Sequence, residues 1–159
     1  MTNRPWLEFG IFIAIAESAG LLGSVFTFSA IPTWYATLVR PAIAPPSWVF
    51  GPVWTTLFAM MGIAACLVWQ QRKRRKDVRR ALFLFGLQLV LNVLWSVLFF
   101  GMQNLGLAFG EIFLLWIAIA TTIVAFGRIS RSAAWLMVPY LLWVSFATVL
   151  NYAFWIANA

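Results

Sequence analysis

Few side chains in this sequence could do chemistry, and those few are threaded through long apolar runs. Gln88, Asn92, Trp95 and Phe99 follow one another at helical spacing, which puts two amides, an indole and a phenyl ring on one face of a helix. Trp143, Ala147, Leu150 or Asn151, and Phe154 form a second such stripe, and Trp54, Phe58, Met61 and Ala65 a third. Stripes of this make-up serve one of two ends. They pack helices together through interhelical amide bonds, or they wall a pocket for a large planar molecule, offering stacking faces and a few orienting hydrogen bonds. Two carboxylates, Glu17 and Glu111, also fall inside apolar runs, where each needs a proton, a partner or a water-filled cavity.

Other chemistries are closed off by composition. Histidine is absent and Cys66 is the single cysteine, so one chain can build no imidazole metal site, haem-iron histidine, disulfide framework or Ser-His-Asp site. No catalytic residue, metal ligand or resident cofactor is therefore assigned.

The elements that position the stripes follow from hydropathy. Of 159 residues 64% are hydrophobic and 9% charged, with mean hydropathy +0.92, against about half and about a quarter in a soluble domain. So few charges cannot cover such a core in water, and lipid must be the solvent. Apolar windows of about 20 residues predict five spans, over 6–28, 48–70, 81–102, 106–127 and 134–157. The fold class is an all-α integral membrane protein, a multi-pass bundle of five transmembrane helices forming one domain over 1–159. Period-two alternation is absent, which argues against a β-barrel.

Five spans put ten basic residues on one side, Arg4, Arg72, Lys73, Arg74, Arg75, Lys76, Arg79, Arg80, Arg128 and Arg131, and Arg40 alone on the other. The positive-inside rule then places the amino terminus in the cytoplasm if the membrane is a bacterial inner one. Inner or outer membrane is not written in the sequence. The basic loop 72–80 reads as a topology anchor on anionic headgroups rather than a nucleic-acid patch. Ala14-Ile15-Ala16 resembles a cleavage site, but apolar sequence runs on to Phe28, so the first span is read as retained.

Between the first two spans, Pro41, Pro45 and Pro46 hold the chain extended. Pro46 before Ser47 and Trp48 suits a helix start, and Pro52 in the next turns predicts a kink. Trp34, Tyr35 and Trp48 fit an interfacial aromatic belt or a pocket rim equally well.

Trp34-Tyr35, Leu38, Arg40-Pro41, Pro45-Pro46, Trp48, Val53-Trp54-Thr55, Leu57-Phe58 and Met61-Gly62, read in order, resemble the signature of the translocator protein family, the tryptophan-rich sensory proteins (TspO/MBR). Gln88, Asn92, Trp95 and Phe99-Phe100-Gly101 resemble its third helix; Pro139-Tyr140, Trp143, Phe146-Ala147-Thr148 and Leu150-Asn151-Tyr152 resemble its fifth. The resemblance covers residues 34–155. It implies a five-helix bundle, usually a homodimer, that binds tetrapyrroles such as protoporphyrin IX as ligands, and it implies no established enzyme class. Sensing, transport and light-dependent breakdown of the porphyrin all remain open as its purpose. The ligand would sit between the first loop and the helices, with Trp54 and Trp143 as walls, Gln88 and Asn92 as polar groups, Trp95 deeper and Ala147 on the fifth helix. Its propionates would turn to Arg40, Gln88 or Asn92.

The sequence also departs from the family pattern. Arg40 keeps the loop's charge where lysine is usual, but Ala42 and Ile43 lack the usual ring. The sterol pattern proposed for the last helix lacks its basic residue after Tyr152, so sterol is not expected. Glu17 supports an alternative of another class, a proton-coupled exporter of lipophilic cations in which this acid binds proton and cargo in turn. Gly106-Leu-Ala-Phe-Gly110 and Gly86 predict close helix contacts, inside the bundle or across a twofold axis.

Overall fold

A computed structural model describes residues 5–159; Arg4, counted above for orientation, lies outside the described residues. The described residues form five helices, α1 (Pro5–Ala30), α2 (Phe50–Trp69), α3 (Val78–Ser96), α4 (Leu105–Gly127) and α5 (Arg131–Ala157), and no strand. Each belongs to a segment long and apolar enough to cross a membrane. The last four segments agree with the sequence-based spans to within three residues at either end.

The first segment does not. Instead of ending at Phe28 it continues through a π turn, Ile31–Tyr35, so the connection is shorter than expected. Pro32 lies at the start of that turn; its missing N–H would break an α-helical ladder, and the wider turn absorbs the defect. The Thr33 hydroxyl donates to the Ser29 carbonyl (2.9 Å) and so satisfies one of the loosened acceptors. A second π turn, Val97–Gly101, extends α3. On the second segment, Pro46 caps a 3-10 turn, Ser47–Val49, and Pro52 falls in the first turn of α2, where the backbone N–H has no intrahelical role to lose.

Turns are fixed locally. Gln103 takes a left-handed conformation (φ 54°) between α3 and α4, and the Asn104 side chain then accepts from the Leu107 N–H at 2.9 Å. Ser130 caps α5 in the same way, accepting from Ala133 at 3.3 Å. At the basic end Arg72 pairs with Glu8 (2.8 Å) and lies 4.4 Å from the Trp69 ring centroid, tying the start of α1 to the end of α2.

Packing closes the helices into a ring in the order α1, α2, α5, α4, α3. Towards the basic end the ring is filled by Ala16, Ala19, Met61, Ala64, Ala65 and their neighbours. Small residues let these helices approach closely: a Cβ on Gly62 would stand 2.5 Å from the Ile13 Cα, and one on Gly20 2.5 Å from Phe58 Cε2. A separate apolar cluster, including Tyr35, Phe99, Leu105 and Phe154, closes the opposite end. Between the two the ring is hollow.

Candidate ligand-binding site

The hollow is a cavity of about 480 Å³ with walls from α1, α2, α3 and α5. Trp48, Trp54, Trp95 and Trp143 contribute four indoles, and Tyr35, Asn92, Ala147 and Asn151 complete the set of sequence-derived residues on its wall. Three of the four indoles are held by an aromatic neighbour. Trp54 stacks on Phe58 (5.5 Å between centroids), Trp143 meets Phe50 edge-on (5.9 Å), and Trp95 lies 4.9 Å from Phe99.

The amides on the wall also bind the helices together. Asn92 Nδ2 donates to the Tyr140 hydroxyl (2.9 Å), Trp95 Nε1 donates to Asn151 Oδ1 (3.0 Å), and Asn151 Nδ2 donates to the Leu105 carbonyl (3.0 Å). This chain of bonds joins α3, α5 and α4, so packing and lining are roles of the same residues. Each amide is thereby locked in one orientation at the wall, as a binding site requires.

Three sequence-derived residues stand off the wall. Trp34 packs edge-on against Phe99 (5.9 Å) behind it. Gln88 is fully buried, its Nε2 3.8 Å from Met61 Sδ and its Oε1 without a partner. Arg40 turns back on its own loop, where Nη2 donates to the Pro45 carbonyl at 2.9 Å. The loop itself is stapled to the end of α5: Asn158 accepts from the Val39 N–H (2.8 Å) and donates to the Val39 carbonyl (3.1 Å). No residue of 36–46 reaches the cavity.

The α1 wall, made by Glu17, Gly20, Ser24, Thr27 and neighbours, went unread in the sequence apart from Glu17. Its signal is a run of small and polar residues at spacings of three and four, which carries no aromatic to draw attention. Glu111 lies elsewhere. It is buried on α4, and both carboxyl oxygens lack a hydrogen-bond partner.

A profile described as the TspO/MBR family matches residues 12–156. The chain belongs to the TspO/MBR family. It is similar to the tryptophan-rich protein TspO of Chlorobaculum tepidum, with 44% identity over 94% of this chain and 95% of the relative. It is also similar to the human translocator protein, with 39% identity over 97% and 92% of the two chains, and to the tryptophan-rich sensory protein of Cereibacter sphaeroides, with 34% over 94% and 90%. As a TspO/MBR protein it is a multi-pass integral membrane protein, and membership carries a membrane-embedded sensory or binding role.

Proposed function

We propose that this protein binds a large planar hydrophobic ligand of the tetrapyrrole class, protoporphyrin IX or a relative, inside the helix ring. The observation that carries this reading is a 480 Å³ hollow walled by four indoles and by amides already fixed in place, a size and make-up suited to a drug-sized or larger flat molecule. Indole faces stack on the macrocycle, and small Ala147 leaves room for its edge. The described wall carries no lysine or arginine. The propionates therefore point out of the cavity mouth towards the headgroups rather than towards Arg40. Lipid is the second partner, met by large exposed apolar side chains on α1, α3, α4 and α5.

For the homodimer that the family resemblance implies, the outer face of α4 supplies a surface. Gly110 is exposed there with open space where a Cβ would stand, whereas Gly106 is used up inside the subunit against Trp155 (3.3 Å).

The test is a titration of protoporphyrin IX against purified protein in lipid discs, followed by tryptophan quenching, for wild type, Trp143→Phe and Asn92→Ala. Loss of a stacking face or a fixed amide should weaken binding by about 1 to 3 kcal/mol, about five-fold to over a hundred-fold in Kd. Identical binding by all three proteins, no better than empty discs, would reject the site.

A further inference from the structure

The end of the bundle that carries the basic loop holds more positive charge than the chain can answer. The sequence has four acids. Glu8 pairs with Arg72, Asp77 pairs with Arg75, and Glu17 and Glu111 lie inside the spans. Arg79, Arg80, Arg128 and Arg131 are exposed, and among the described residues none of them makes an ion pair or a side-chain hydrogen bond. Arg128 has a structural reason for its place, at the C-terminal end of α4. The other three have none: they occupy the first turns of α3 and α5, where the helix dipole disfavours cations and no acidic residue offsets them.

These three helix ends are joined. Phe85 stacks on Phe126 (5.9 Å between centroids), which pins α3 to α4. A Cβ on Gly127 would stand 3.5 Å from that of Ala134, which pins α4 to α5. One turn deeper into the membrane, each end presents a large exposed apolar side chain on the same helix face as its arginine. Phe83 follows Arg79, Val124 precedes Arg128 and Trp135 follows Arg131, each at a spacing of four. Cations at headgroup level above apolar side chains match the outline of a phospholipid, phosphate over acyl chains. A soluble anion would use the arginines and leave the apolar surface unmatched.

We infer that the joined ends of α3, α4 and α5 form a site for a phospholipid whose headgroup carries two phosphates, held by Arg79, Arg128 and Arg131 with its acyl chains along Phe83, Val124 and Trp135. A single phosphodiester would answer one of the uncompensated charges; two phosphates answer two and reach across neighbouring helix ends. The charge excess that orients the chain needs no particular lipid, whereas this site does. Arg128 is about 27 Å along α4 from Gly110, so the site leaves the glycine face at the other end of the span free for a second copy.

Diphosphatidylglycerol brominated in its acyl chains, diluted into phosphatidylcholine discs, tests this by quenching Trp135. The Trp135 signal is the difference between each protein and the same protein carrying Trp135→Phe. Arg79→Gln/Arg131→Gln should raise the mole fraction of brominated lipid needed for half-maximal quenching about tenfold, and Arg131→Gln alone about threefold. Lys73→Gln/Arg74→Gln removes as much charge from the neighbouring loop and should stay within about twofold of wild type. Melting of all variants in phosphatidylcholine alone should match or slightly exceed that of wild type, because the arginines at helix starts repel the dipole until the lipid answers them. Equal shifts from the two double variants would mean diffuse attraction to a charged surface and would overturn the site. Quenching no stronger than that by equally brominated phosphatidylcholine would overturn it as well, and so would displacement of the lipid by millimolar inorganic pyrophosphate, which would make the arginines a site for soluble phosphate.

Discussion

The two ends of the α1–α2 seam are made from the same two helices and the same kind of residues, yet one is shut and the other open. Near the basic end, Gly62 lies against the Ile13 backbone, closer than any side chain would allow. Near the opposite end, Gly51 has nothing within 4 Å of its Cβ position and borders the cavity mouth. A glycine in a membrane helix thus means contact or space according to what faces it. In lipid, where apolar surface gains little by burial, the fit between backbones decides where a bundle is solid and where it is hollow.

Substitutions at the two ends should separate these roles. The largest effect is expected for Gly62→Leu, which drives a side chain into the α1 backbone; destabilisation of about 3 kcal/mol or more, or failure to fold, should appear in thermal unfolding in detergent. The matched Gly51→Leu should unfold within about 0.5 kcal/mol of wild type. If both variants melt alike, the contrast between closed and open seam is wrong. Next is Asn151→Leu, which strips the Trp95 indole of its acceptor and the Leu105 carbonyl of its donor. A loss of about 1 to 2 kcal/mol is expected there.

The smallest effect belongs to the basic loop. A hydrogen bond from the Arg75 guanidinium holds the exposed Asp77 carboxyl below its ordinary range. A carboxyl lowered in the folded state adds stability above its unfolded value, near pH 4, and that stability fades as pH falls through the lower folded one. Both side chains are in water, so Asp77→Asn should leave melting at pH 7 almost unchanged, and added salt should erase any difference from wild type. A clear drop for Asp77→Asn at pH 7 would show that this loop braces the bundle.

Much of the fold was legible, because spans of about 20 apolar residues have one economical solution in a membrane. The extension of α1 to Tyr35 was not, since Pro32 reads as a break and only the structure shows a widened turn taking it up. At the site, helical spacing found the walls on α2, α3 and α5 because their aromatics repeat with the helix. The same spacing overreached at Gln88. One turn from Asn92, it sits about 6 Å lower along the axis and lies against Met61 rather than in the cavity. Arg40 misled in a different way: charge and loop position suggest a ligand contact, but the proline-rich turn brings its guanidinium to Pro45. Gly106 and Gly110 look equivalent in sequence, yet one meets Trp155 and the other faces outward.

The central claim is that the hollow within the ring is where ligand binds, and filling it tests that claim most directly. Ala147→Phe should project a ring into the cavity, while Gly86→Phe adds the same bulk on α3 away from the cavity, where nothing lies within 4 Å of the Cβ position. Protoporphyrin titrations of the two variants in lipid discs, each checked for wild-type melting, should show quenching lost in Ala147→Phe and retained in Gly86→Phe. Equal retention in both would place the ligand outside the cavity and contradict the account.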